Sequence, residues 1–129
     1  MKRPIFIFSI ILLFCIVGCS HKKIIKYDND SNTTCTLSSA DTLEIILKSN
    51  PTTGYEWKIT AIDTAVIQII GKAYIPDKVP KHTMGAGGKS VFNFVAVHGG
   101  STEMNLIYHR PFEKDVEPVR IFNLKVKVR

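Results

Sequence analysis

Cysteine is scarce in this chain of 129 residues. Three cysteines are present: Cys15 and Cys19 belong to the N-terminal segment, and Cys35 stands alone in the rest of the chain. Once the N-terminal pair is removed or modified, Cys35 has no partner for an intrachain disulfide. A mature chain of about 110 residues is a normal size for one domain with one core, so we expect hydrophobic packing alone to stabilise it.

Metal-binding and catalytic patterns are also lacking. The sequence has no HxH or CxxC spacing, and its carboxylates are dispersed. We expect the four histidines in the N-terminal segment, in loops or on polar strand faces: His21, His82, His98 and His109. A hydrolase with Cys35 as its nucleophile is the enzyme alternative, but this thiol lies in or beside a polar segment that is poorly suited to fix a base and an orienting group. We therefore expect no enzyme, no metal and no cofactor.

Clustered positive charge is absent as well. The formal net charge is +6, or +4 without Lys2 and Arg3, and no basic stripe with interleaved aromatic residues is present, which argues against a nucleic-acid partner. Basic side chains alternate at the end of the chain, as expected for the solvated face of a strand: Lys125, Lys127 and Arg129.

The first eighteen residues have the layout of a secretory signal peptide. Lys2 and Arg3 precede an uncharged apolar stretch over residues 4–17, which is shorter than the roughly 20 residues of a spanning helix. At the end of this stretch, residues 16–19, Ile-Val-Gly-Cys, resemble a bacterial lipobox. We therefore expect residues 1–18 to be removed, Cys19 to carry fatty acyl chains such as palmitate, and the protein to be anchored in the bacterial envelope on a periplasmic or cell-surface face. Ordinary cleavage with an unmodified cysteine is the alternative.

The rest of the chain divides into a polar segment and one domain. Residues 19–36 are interpreted as the lipidated cysteine and a tether, in which Lys22, Lys23 and Lys26 can rest on anionic headgroups. Over residues 37–129 the apolar side chains recur with a period of two, and no stretch has the pattern of an amphipathic helix. About seven short strands separated by turn signals predict an all-β, two-sheet sandwich.

Three loop segments combine residues that shape the backbone with side chains suited to contact. The first is Asn50-Pro51-Thr52-Thr53-Gly54-Tyr55, the second is Gly85-Ala86-Gly87-Gly88 with Met84 before it, and the third is Arg110-Pro111-Phe112. In the first segment, Pro51 restricts the backbone and Gly54 is expected at positive φ. A plain β-turn, and a core position for Phe112, are the structural alternatives.

A nucleotide-binding loop does not fit the second segment. Gly88-Lys89-Ser90 looks like the end of a phosphate-binding motif, but Thr83 stands where that motif needs glycine. The following residues are predicted to form a strand, so no helix N-terminus is available for a phosphate.

Together, the three segments resemble the loop signatures of the chagasin family of papain-like cysteine peptidase inhibitors, in the same order and over residues 41–129. The resemblance implies an immunoglobulin-like fold and reversible, non-covalent inhibition, in which loops 49–55, 76–90 and 110–117 occlude the active-site cleft. It places the first loop at the peptidase's catalytic centre and the second along the non-primed side. The family commonly has Trp where Phe112 stands.

The expected partners are therefore a papain-like peptidase and, through Cys19, a membrane; we expect a monomer. An envelope adhesion or assembly module that uses the same loops is the alternative function.

Overall fold

The computed structural model describes residues 18, 20–80 and 84–129. Cys19, on which the lipidation prediction falls, lies outside the described residues, as do residues 1–17 and 81–83. Eight strands are present among the described residues: β1 (Lys23–Tyr27), β2 (Thr33–Leu37), β3 (Thr42–Ser49), β4 (Glu56–Ala61), β5 (Ile67–Pro76), β6 (Gly88–Ala96), β7 (Gly100–His109) and β8 (Arg120–Val128). Two short 3-10 turns, Asp28–Asp30 and Pro51–Thr53, complete the regular structure.

The strands form two four-stranded sheets, in the orders β1-β3-β6-β5 and β2-β8-β7-β4. Alternate side chains of each strand point between the sheets, since successive residues of a strand face opposite sides. The inward positions form a continuous hydrophobic core that includes Leu43, Ile45, Leu47, Phe92, Phe94, Met104, Leu106, Phe122, Leu124 and Val126. The predicted all-β sandwich is thereby confirmed, with eight strands instead of about seven.

The N-terminal boundary of the domain differs from the sequence-based one. Residues 19–36 were interpreted as a tether, but β1 pairs in parallel with β3, and β2 pairs in parallel with β8. The physical reason is that Ile24 packs against the core and Cys35 lies within it, while the polar neighbours face outward. Each strand has only five residues, three apolar in β1 and two apolar in β2, which is too short a run to display the alternation.

Cys35 is a core residue, not a residue beside a flexible tether. Its side chain is 2% exposed, and burial raises the pKa of the thiol while nearby Lys26 opposes this only in part. A buried, protonated thiol is a weak nucleophile. The structure therefore removes the physical basis of the hydrolase alternative.

Asp41 joins the start of the first sheet to the turn between β2 and β3. The backbone N–H groups of Lys22 and Ser38 each donate to its buried carboxylate at 2.9 Å. These two hydrogen bonds lower the pKa of Asp41, because they stabilise the charged form. The ionised carboxylate thus holds β1 and β2 in place.

Because the folded-state pKa of Asp41 lies below its unfolded value of about 4, the ionised group stabilises the fold above that value. This contribution is lost as pH falls through the folded pKa. Asp41→Asn is expected to lower the midpoint of urea unfolding at pH 7, with a smaller difference from the wild type at pH 3. Asp115→Asn, in an exposed loop, is the control; a deficit of Asp41→Asn that is equal at both pH values would contradict the prediction.

Candidate functional site

The three predicted loop segments lie together at one end of the sandwich. Ser49 and Pro76 both pair with Gly88 across the first sheet, and Glu56 pairs with His109 across the second. These pairs are the last ones before the connecting loops, so the three connections leave the sheets at the same end. We call the exposed surface formed by residues 50–55, 84–87 and 110–112 the loop edge.

The first loop is shaped by its own side chains. Pro51–Thr53 form a 3-10 turn, and the side chain of Asn50 accepts a hydrogen bond from the Thr52 N–H at 3.2 Å. The Thr53 hydroxyl donates to the Asn50 carbonyl at 2.6 Å. Gly54 then reverses the chain at φ +81°, which confirms the positive φ expected from the sequence. The loop is therefore a capped turn, more ordered than a simple β-turn.

The second loop is tied to the first. The Asn50 side-chain amide donates to the Gly85 carbonyl at 2.9 Å, and Met84 is 94% exposed beside this contact. Gly88 has a different position from the one predicted: it is the buried first residue of β6, where a Cβ would collide with the Ile75 carbonyl oxygen. The close approach of β5 and β6 explains this glycine, which therefore lies in the sheet at the base of the second loop.

The third loop holds the first from the other side. Arg110 Nε donates to the Thr53 carbonyl at 3.0 Å, and its Cζ lies 4.4 Å from the centroid of the Tyr55 ring. Glu113 accepts from Arg110 Nη1 at 2.9 Å, and this bond raises the pKa of Arg110. Arg110 is thus engaged within the protein, as a link between two loops.

Phe112 has the opposite character. Its side chain is 71% exposed, so the alternative of a core position is wrong. One edge of its ring covers Gly54, because a Cβ at Gly54 would lie 2.9 Å from Phe112 Cε1. The rest of the ring faces solvent next to the tip of the first loop. An exposed aromatic ring on an ordered loop is typical of an interface anchor.

Three residues beneath the loop edge were not singled out from the sequence. Trp57, Tyr108 and Arg120 stand opposite one another on β4, β7 and β8. The hydroxyl of Tyr108 accepts from the Asn50 N–H at 2.8 Å, and its ring lies 5.0 Å from that of Trp57 and 4.3 Å from Arg120 Cζ. Alternation with Met104 and Leu106 already indicated an inward Tyr108, but only the strand register brings the other two beside it.

Two of these side chains also reach the first sheet. Trp57 Nε1 and Arg120 Nη2 donate to the Lys48 carbonyl at 2.9 and 3.0 Å. The ring of Tyr55 stacks on Tyr108 at 5.3 Å and continues the column upward to Arg110. The first loop therefore rests on a packed column of aromatic and guanidinium groups.

The residues at this end of the molecule are suited to non-covalent contact with a partner. Within the described part of the chain, no group of three or more His, Cys, Asp or Glu side chains is arranged to hold a metal ion. Exposed threonines, Met84 and Phe112 stand on loops joined by hydrogen bonds. The fold and the loop edge define a β-sandwich binding protein with a pre-organised recognition surface.

Comparison with known proteins identifies the kind of binding protein. The model of the family described as Chagasin family peptidase inhibitor I42 matches residues 36–126, and the chain belongs to that family. Amoebiasin-1 of Entamoeba histolytica is 31% identical over 102 residues, which cover 79% of this chain and 96% of the relative. Chagasin of Trypanosoma cruzi is 32% identical over 98 residues, covering 72% and 84%.

Solved structures agree with this assignment. The crystal structure of the cysteine protease inhibitor EhICP2 from Entamoeba histolytica matches with a TM-score of 0.79 and 27% identity, over 87% of this chain and 100% of that one. The resemblance drawn from the three loop signatures is confirmed, as is the immunoglobulin-like fold. Because the family consists of peptidase inhibitors, the expectation of a non-enzymatic protein is confirmed too.

Gly54→Ala is expected to destabilise the protein without unfolding it. The new Cβ meets Phe112 and stands at a left-handed φ, and strain of this kind costs about 1–3 kcal/mol. The free energy of unfolding, measured in urea, should fall by that amount. Gly99→Ala is the control, since its Cβ has no neighbour closer than 3.7 Å. Equal stability of both variants would contradict the described loop conformation.

Proposed function

We propose that this chain inhibits papain-like cysteine peptidases reversibly by placing its loop edge in the active-site cleft. The observation that carries the proposal is the union of three distant segments into one surface by the Asn50–Gly85 and Arg110–Thr53 hydrogen bonds. In a member of a peptidase inhibitor family, a joined surface of this kind is the natural part to occupy an extended cleft. An adhesion or assembly module with the same loops is not favoured, since the family's partners are peptidases.

The mechanism is binding without a covalent step. The tip of the first loop presents Thr52 and Thr53 to the catalytic centre, while Met84 and Phe112 supply apolar contacts on either side. The hydrogen bonds within and between the loops already exist in the free protein, so little conformational entropy remains to be lost on association. A standard-sized interface of roughly 1,600 Å² is sufficient for tight inhibition when the surface is ordered in advance.

A protein comprising residues 20–129 is expected to inhibit papain and to leave trypsin-like serine peptidases active, because we propose that the loop edge fits the cleft of papain-like cysteine peptidases. Papain activity titrated with this protein measures the effect, and an activity curve that stays flat at micromolar inhibitor would contradict the proposal.

Two variants test the surface within the same assay. Phe112→Ala removes the exposed ring and is expected to raise the inhibition constant by roughly 5- to 30-fold, the equivalent of about 1–2 kcal/mol, mainly through faster dissociation. Lys125→Ala, on the outer face of β8, should inhibit like the wild type. If Lys125→Ala were the damaging change and Phe112→Ala were not, the inhibitory surface would lie elsewhere.

We also propose that the protein is lipid-anchored in the bacterial envelope through Cys19. The proposal is supported by the charged start, the apolar stretch and the lipobox-like residues 16–19. Among the described residues, no helix is long and apolar enough to cross a membrane. Acyl chains on Cys19 would hold the inhibitor at a membrane, since each buried methylene contributes about 0.8 kcal/mol.

Metabolic labelling of expressing cells with a fatty acid measures the modification. We expect the wild-type protein to be labelled and Cys19→Ser to remain unlabelled, because the thiol of residue 19 is the acceptor. Cys35→Ser, which removes the buried thiol, should retain the label. Label on Cys19→Ser would place the modification on another residue.

A further inference from the structure

One row of residues across the outer face of the first sheet is wholly apolar. Tyr27, Ile46, Val91 and Ala73 stand opposite one another in this row, which crosses all four strands, although Val91 is itself buried. Several apolar side chains of this outer face are exposed to solvent: Ile25 by 41%, Tyr27 by 49% and Ile75 by 55%. The neighbouring rows are mixed: Glu44 and Asn93 stand between Ile25 and Gly71, and Val95 stands between Thr42 and Gln68. We call the outward side chains of Ile25, Tyr27, Ile46, Ala73, Ile75, Val91 and Val95 the apolar face.

The outer face of the second sheet is the internal comparison. Apart from Ile107 and Ile121, its outward positions are mostly polar or charged, and they include Thr34, Thr36, Lys58, Glu103, Asn105, Asn123, Lys125 and Lys127. Both sheets cover the same core, so packing demands do not account for the difference between their outer faces. The apolar face is therefore suited to being covered by something outside the sandwich.

Positive charge borders the apolar face at its loop end. Lys48 and Lys89 stand directly opposite each other on β3 and β6. Like charges in this position repel, and within the described residues neither side chain has an ion-pair partner. Lys23, at the other end, is paired with Glu44. Apolar side chains beside unneutralised lysines match the surface of an anionic bilayer, where the rings and aliphatic groups enter the interface and the ammonium groups meet phosphates.

The chain itself brings this face close to the expected anchor. Cys19 precedes β1 by four residues, which span at most about 14 Å when fully extended. With acyl chains on Cys19, the start of β1 stays within about 14 Å of the anchor, and β1 supplies Ile25 and Tyr27 of the apolar face. β1 runs parallel to β3, whose end leads into the loop edge. The tether therefore enters at the opposite end from the loops and leaves them clear.

We propose that the apolar face docks on an anionic membrane surface, so that the sandwich lies on its side with the loop edge free to bind a peptidase. The orientation rests on the proposed lipid anchor. In the competing orientation, the end of the sandwich opposite the loops would contact the membrane, with Asp63, Thr64 and His98 against the headgroups. This end is polar and has no apolar patch comparable to the apolar face.

The test couples residues 19–129 through the Cys19 thiol to a maleimide-bearing lipid, in vesicles of phosphatidylglycerol and phosphatidylcholine. This fragment contains every described strand and the whole core, and buried Cys35 should not compete for the maleimide. Lysine acetylation by an N-hydroxysuccinimide ester, read by mass spectrometry, then reports which face is covered. The uncoupled protein is the reference.

We expect acetylation of Lys48 and Lys89 to fall several-fold on these vesicles, while Lys125 and Lys127 on the opposite face react as in the uncoupled protein. The protection should weaken on vesicles of phosphatidylcholine alone and in the variant Ile25→Ser/Ile75→Ser. Thr34→Ser/Thr36→Ser, on the polar face, is the matched control and should retain it. Cooperative urea unfolding of each uncoupled variant verifies that the sandwich is folded.

Equal protection of both faces, or no protection of Lys48 and Lys89, would overturn the docking proposal; the second result would leave the apolar face for a protein partner. These failures are distinct from those of the proposed function. Because the anchor is attached chemically, the footprint does not depend on natural lipidation, which fatty-acid labelling measures, or on peptidase binding, which papain titration measures.

Discussion

The hydrogen bond between the Tyr108 hydroxyl and the Asn50 N–H connects the loop edge to the body of the protein. Tyr108 is buried at the end of β7, between Trp57 and Arg120, so its hydroxyl has a fixed position. Asn50 in turn caps the first loop and donates to the second. The geometry of both loops thus follows from one side chain whose place is set by the strand register.

The loop edge separates residues that organise it from residues that remain available. The guanidinium group of Arg110 contacts Thr53, Tyr55 and Glu113, all within the same molecule. Phe112, two positions later, covers Gly54 with one edge of its ring and is otherwise largely exposed. A charged group with satisfied hydrogen bonds orders a loop, whereas an exposed ring offers apolar area to a partner. Sequence reasoning assigned both to contact, since residue type alone does not distinguish these roles.

Much of the fold could be predicted because its strands are long enough to display a period of two. The alternation of Phe122, Leu124, Val126 and Val128 identifies β8 without ambiguity. β1 and β2 were not predicted as strands, because each has five residues, of which two or three are apolar. The loop signatures indicated the three segments that the structure brings together in the loop edge. The row of Trp57, Tyr108 and Arg120 needed the pairing of three strands that are distant in sequence, and no local pattern contains that information.

The parallel pairing of β2 with β8 has a consequence for how the chain acquires its structure. Thr33 stands beside Leu124 and Leu37 beside Val128, so the partner of β2 lies at the far end of the domain's sequence. Contacts of such high sequence separation slow folding, because a long loop must close before they form. The sandwich therefore cannot close until β8 reaches β2, which has no other neighbour in its sheet.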